Sequence, residues 1–142
     1  MAEIINEFKL ENVESRLSLL PHYYITKFNT DVIINSGGRS QAKQEQIYKD
    51  KFGAKWKKNM PKHSAHVFKP GEEAHAIDFY VRDMFITKVH AELLSIATQY
   101  GIKGIGIDIF HNYIHVDTKD RNRKDILLWA YDSSGVITYL NS

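Results

Sequence analysis

Gly104-Ile105-Gly106-Ile107-Asp108-Ile109-Phe110-His111-Asn112-Tyr113-Ile114-His115-Val116-Asp117 alternates apolar and polar residues with the period of a β-strand. Ile105 to Ile109 and Tyr113 to Asp117 read as two strands or as one interrupted strand. If Ile114 and Val116 face a core, then His111, Tyr113, His115 and Asp117 face the other way, because successive strand side chains point to opposite faces. Upstream, Ala74 to Val81 repeats the pattern: Ile77, Phe79 and Val81 share one face, and Ala74, Ala76, Asp78 and Tyr80 the other. Asp31-Val-Ile-Ile-Asn-Ser36 is a β-branched run that stops at Gly37-Gly38, so it reads as a buried strand entering a turn. Trp129 to Asp132 and Val136 to Leu140 flank Ser133-Ser134-Gly135, which predicts a terminal hairpin.

Three helices are expected between these strands. Glu11 to Leu20 carries Val13, Leu17 and Leu20 on one face. Ser40 is an N-cap for a helix through about Phe52, stopped by Gly53. Thr87 to Tyr100 carries the clearest apolar stripe, Val89, Leu93, Ile96, Ala97 and Tyr100, and ends at Gly101. Ala54 to Glu73, with Pro61, Pro70 and Gly71, reads as an irregular basic excursion. Strands and helices follow one another without regular alternation. The expected fold is therefore α+β, a single domain over residues 1–142 with a mainly antiparallel sheet flanked by helices.

Composition narrows the function classes. Apolar residues are 43% and charged residues 25% of the 142-residue chain, as in ordinary globular domains. No apolar run is long enough to span a bilayer, so no membrane segment is expected. The N-terminus is acidic where a signal peptide is basic, so no ordinary export signal is read. There are no cysteines, which leaves His, Asp and Glu as the available metal ligands. The formal net charge is only +2, which does not demand nucleic acid. Lys49, Lys51, Lys55, Lys57, Lys58 and Lys62 nevertheless crowd one segment. That segment reads as a solvated surface or as an electrostatic guide toward an anionic polymer.

Within this frame His66, Asp78 and His115 make a candidate metal site. Asp78 lies on a polar strand face beside small Ala76, and His115 on the polar face of another strand. Antiparallel neighbours would present both to one point, with His66 reaching it from the preceding loop. Two imidazoles and a carboxylate leave a fourth tetrahedral position for water, the open arrangement of a catalytic zinc, for which hydrolysis is the natural chemistry. His75 has the wrong parity to join Asp78 and is the alternative ligand to His66. His22 and His90 read as ordinary surface or core histidines.

Ile33-Ile34-Asn35-Ser36-Gly37-Gly38-Arg39-Ser40, Ser64-Ala65-His66, Ala76-Ile77-Asp78, Gly104-Ile105-Gly106-Ile107 and Tyr113-Ile114-His115-Val116-Asp117-Thr118 follow one another in order. This succession resembles the D-alanyl-D-alanine carboxypeptidase-type zinc peptidases, which share a fold with the hedgehog signalling domain. The group includes cell-wall carboxypeptidases, crosslink-cleaving endopeptidases and phage endolysins. The resemblance runs from about Val32 to Lys119. It implies Zn2+ as cofactor, His66, Asp78 and His115 as its ligands, and Arg39 as a substrate-binding residue at the site. It also implies a general base a few residues before the last ligand. Asn112 cannot take a proton, so Asp108 and His111 are the candidates, and Asp117 shares a face with His115. Two features depart from the family pattern. The spacing from His66 to Asp78 is longer, through an apparent insertion within Val67 to Glu73, and Ala74 stands where a glycine is usual.

The resemblance implies a zinc-dependent peptidase whose partner is a peptidoglycan stem peptide or crosslink, cut next to a D-amino acid. With no export signal read, it implies a phage or prophage lytic enzyme, cytoplasmic until released by a holin or carried on the virion. Two rivals stand beside it. One is a catalytically inactive zinc-containing module of the same fold. The other, less favoured, is a nucleic-acid-binding protein using Lys49 to Lys62 with Tyr48, Phe52 and Trp56.

Overall fold

The computed structural model describes residues 1–141. The first half of the chain forms β1 (Ile4–Ile5), a 3-10 turn (Glu7–Leu10), α1 (Ser15–Phe28), β2 (Val32–Ser36), β3 (Arg39–Ser40), α2 (Gln41–Phe52), a second 3-10 turn (Gly53–Lys55), α3 (Trp56–Asn59) and β4 (Val67–Phe68). The second half forms β5 (Ala76–Val81), α4 (Ile86–Ile96), β6 (Gly104–Asp108), β7 (Tyr113–Asp117), β8 (Leu127–Tyr131) and β9 (Ile137–Tyr139). Seven strands make one sheet in the order β1-β2-β5-β7-β6-β8-β9, and β3 and β4 make a separate small ladder. The fold class is α+β, as expected. The sheet is mixed: β2-β5, β5-β7, β7-β6 and β8-β9 are antiparallel, but β1-β2 and β6-β8 are parallel. No described helix is long and apolar enough to cross a membrane.

The core lies between one face of this sheet and helices α1 and α4. Leu17, Leu20 and Tyr24 from α1 and Val89, Leu93 and Ile96 from α4 pack on Ile77, Phe79, Ile105, Ile114 and Val116. Each such large side chain, taken fully out of water, contributes about 1.5–3 kcal/mol. Tyr24 packs against Phe79 with ring planes tilted by 50° and centroids 5.7 Å apart, and its hydroxyl donates to the Val89 carbonyl at 2.8 Å, tying the two helices together.

Helix α1 differs from the expected Glu11–Leu20 element. It starts at Ser15 and runs through Pro21 to Phe28, where Asn29 closes it in the left-handed conformation. Proline removes one backbone donor and ordinarily breaks a helix. Here the Leu17-Leu20-Tyr24 stripe is wholly buried and carries the helix past it. Helix α2 matches its expected span, with the Ser40 hydroxyl accepting from the Lys43 N–H at 3.2 Å. The expected excursion from Ala54 to Glu73 contains one helical turn and the short strand β4, which runs parallel to β3. Helix α4 ends at Ile96, before the expected Tyr100. The chain then turns, and Gly101 takes the positive φ of 67° there. The terminal hairpin is present, and its Asp132 carboxylate accepts from the Ser134 and Val136 amides.

Candidate metal centre

The face of the sheet opposite the core carries the site. One row of paired residues crosses it: Ser36, Asp78, His115, Gly106 and Trp129 are successive register partners on β2, β5, β7, β6 and β8. Two expected ligands, Asp78 and His115, are thus direct cross-strand neighbours: alternation puts each on the polar face, and the β5-β7 pairing brings them together. His66 enters from the loop before β4. That loop is pinned by the Arg39 N–H, which donates to the His66 carbonyl at 2.8 Å within the β3-β4 pairing. The long spacing between His66 and Asp78 therefore leaves His66 in the site. Its extra residues form β4 and the turn that follows.

His66, Asp78 and His115 offer three ligand atoms that all lie within 4.8 Å of one another. Asp78 Oδ1 is 3.2 Å from His66 Nε2 and 2.9 Å from His115 Nδ1. The outward nitrogens are both committed. His66 Nδ1 faces the Gly37 carbonyl at 2.9 Å, and His115 Nε2 faces Asp117 Oδ2 at 2.7 Å. A ligating histidine ordinarily donates its second ring N–H to a carbonyl or carboxylate, which fixes the tautomer and aims the other nitrogen at the metal. Both histidines meet that condition, so the donor set fits a divalent cation. Asp117 is itself clamped, accepting from Arg121 Nη1 and Nη2 at 2.6 and 2.8 Å and from the Lys119 N–H at 3.2 Å. Asp117 shares the face of His115, as expected, and it is committed to holding that imidazole.

The electrostatics follow from this packing. Burial opposes ionisation of Asp78, but His66 and His115 outweigh it and hold the carboxyl far below the usual carboxylate range. Burial likewise disfavours the His115 imidazolium, yet the carboxylates of Asp117 and Asp78 raise it to about 9. Arg39 sits near the cluster. Burial lowers the affinity of its guanidinium for a proton, Asp78 and Tyr48 oppose that shift, and its Nε is buried without a partner.

Asp108 and His111 form a pair of their own in the β6-β7 turn. The Asp108 carboxylate is buried and accepts from the Phe110 and His111 amides at 3.1 and 2.9 Å and faces His111 Nδ1 at 2.9 Å. It is thereby committed to the turn. The His111 side chain is 57% exposed, which leaves Nε2 open to solvent. His75 points away from Asp78, as its parity required. Its Nδ1 lies 2.6 Å from Glu14, and with Glu14 and Thr118 it lines a separate cavity of about 820 Å³.

Trp129 and Arg121, which strand alternation alone does not mark, stand beside His115. Trp129 packs 5.4 Å from the His115 ring, and Arg121 lies over the indole. Trp129 Nε1 is buried with no acceptor in hydrogen-bonding geometry. Tyr113 and Tyr131 stand 5.8 Å apart, and burial pushes the Tyr131 phenol up to about 12. The Gly104-Ile105-Gly106 motif now has a physical reason. A Cβ at Gly106 would overlap the Trp129 indole and the Tyr131 ring, and one at Gly104 would crowd Arg121 and Asp117. The two bare positions are where site side chains lie flat across β6. Alternation of Leu127, Trp129 and Tyr131 on a strand beside a Gly-x-Gly strand was the available signal. Comparison with protein-family models, with curated proteins and with solved structures finds no match to this chain.

Proposed function

We propose that this protein is a zinc-dependent peptidase of the hedgehog/D,D-peptidase type that hydrolyses peptidoglycan stem peptides or crosslinks at an amide bond next to a D-amino acid. The observation that supports this most is the convergence of His66, Asp78 and His115, with the outer nitrogen of each histidine already occupied. His66, Asp78 and His115 would hold the zinc ion, which would supply Lewis acidity for hydrolysis near neutral pH. The remaining work falls to the chain. Arg39, whose backbone N–H is tied to the His66 carbonyl, would offer its guanidinium to a substrate carboxylate or carbonyl oxygen. His111, oriented through Nδ1 by Asp108, would be the base whose Nε2 accepts a proton from water and returns it to the leaving amine. Asp108 is then a positioning residue, since its oxygens are committed to the turn. Trp129, packed on the His115 ring, walls the site.

The test is metal content together with digestion of purified peptidoglycan by wild type, His115→Ala and His111→Ala. Near-stoichiometric zinc in wild type, lost in His115→Ala, with new amino termini released only by metal-loaded protein, is the expected result. His111→Ala keeps its metal and loses most turnover. Absence of zinc from wild type refutes the assignment. One observation favours a second reading, a metal-holding module without turnover: the Asp108 carboxylate is fully engaged in its turn and Asn112 carries no titratable group. Zinc without released fragments selects that reading.

A further inference from the structure

Helix α2 is anomalous as a piece of structure. Most helices in folded proteins are stabilised by burying an apolar stripe. Over the twelve residues Gln41–Phe52 the one buried residue is Gln44. No residue of α3 or of the 3-10 turn before it is buried. The segment from Gln41 to Lys62 thus contributes almost nothing to the core, and its physical product is the surface it displays.

That surface is strongly and simply charged. Between Gln41 and Lys62 there are seven lysines against Glu45 and Asp50, and no arginine. The whole chain has a formal net charge of +2, so the remainder of the molecule is net negative. Lys49, Lys51, Lys55, Lys57 and Lys58 are all exposed. Each aromatic ring among them already has a neighbour against it, and all three are half-buried. The ammonium groups of Lys49 and Lys57 lie 4.8 and 5.5 Å from the centre of the Trp56 ring, and Tyr48 stacks on Phe52 at 5.7 Å. Single-stranded nucleic acids are held by bases stacked on free aromatic faces, and bidentate phosphate or guanine contacts use arginine. This segment has no arginine, and its aromatic rings are engaged within the segment. It offers lysine point charges, which suit a flexible chain of anionic groups without bases. The segment also borders the metal centre, since α2 follows directly on β3, where the Arg39 N–H donates to the carbonyl of the candidate ligand His66 at 2.8 Å.

We infer that the Gln41–Lys62 segment is a docking surface for a base-free poly(polyol phosphate) chain, which it holds beside the metal centre. The choice of this polymer rests on the wall-peptidase reading given above. The charge surface itself does not.

The test measures equilibrium binding of the full, metal-loaded chain to synthetic poly(glycerol phosphate) over a salt series. A single-stranded DNA oligonucleotide of equal charge is the second arm. Turnover plays no part in the readout, so absence of peptidase activity would refute the proposed function and leave this result standing. Lys51→Gln/Lys55→Gln/Lys58→Gln is compared with Lys88→Gln/Lys103→Gln/Lys124→Gln, which removes equal charge elsewhere on the surface. Counter-ion release predicts that the first triple makes the slope of log affinity against log salt shallower by about two and weakens binding roughly tenfold or more at low salt. The second triple leaves both nearly unchanged. A Lys51→Arg/Lys55→Arg/Lys58→Arg variant keeps the binding, which separates lost charge from lost folding. The inference is overturned if wild type does not bind at low salt, if the two glutamine triples behave alike, or if DNA binds as tightly as the polyol phosphate.

Discussion

Asp117→Asn tests whether the second layer of the site aims His115. Asp117 is 1% exposed and accepts four donors: His115 Nε2, both terminal nitrogens of Arg121 and the Lys119 amide. Asparagine keeps one acceptor oxygen and turns an NH2 toward either the imidazole or the guanidinium. Removing one partner of a fully buried ion pair costs about 3–5 kcal/mol. The Arg121 side chain is 21% exposed and regains water, so a smaller loss of metal-free stability, about 2 kcal/mol, is expected. Loss of the group that orients a ligating histidine typically weakens metal binding about 10- to 100-fold, or about 1.4–2.7 kcal/mol at the standard conversion. The two quantities are separable. Urea unfolding with chelator present reads the first, and competition against a chelating indicator at fixed pH reads the second. Asp125→Asn, which removes an exposed partner of Arg123, leaves both unchanged. If Asp117→Asn loses stability but binds metal within threefold of wild type, Asp117 serves Arg121 alone and the orientation argument fails.

The ligand set makes a sharp comparison: His66→Ala, Asp78→Asn and His115→Ala each abolish near-stoichiometric metal by elemental analysis, whereas His75→Ala keeps it. Gly106→Ala drives a methyl into Trp129 and Tyr131. It should cost about 1–3 kcal/mol of stability as overpacking, read by chemical denaturation, and should change Trp129 fluorescence. Glu14→Gln probes the acid limb of stability. Burial pushes the Glu14 carboxyl up, but hydrogen bonds from His75 and Thr118 and the Arg16 charge outweigh it, so it lies below the ordinary glutamate range. A depressed carboxyl contributes stability that is present at neutral pH and is lost as pH falls through its folded value. The gap between wild type and Glu14→Gln should therefore be widest at neutral pH and close on acidification from about pH 5, and a gap independent of pH would count against the assignment.

The sequence by itself determined the period of each main strand, the cap of α2 and the chemical character of the candidate ligands. Asp78 and His115 were legible because strand alternation is local. Once Ile77 and Ile114 are assigned to the core, their neighbours must face the other way. The parity of His75 was legible for the same reason, and the chain places it against Glu14. Only the tertiary structure decided the rest. The passage of α1 through Pro21 depends on a buried stripe contacting residues far along the chain. The parallel β6-β8 pairing brings Trp129 beside Gly106, and no local pattern specifies which strand another will join. The partners of the two histidines, the Gly37 carbonyl and the Asp117 carboxylate held by Arg121, come from a turn, a strand end and a loop. Residue type and periodicity are properties of neighbours in sequence. A coordination site is a property of atoms brought within a few ångströms by packing, and that distance exists only once the sheet has closed on its core.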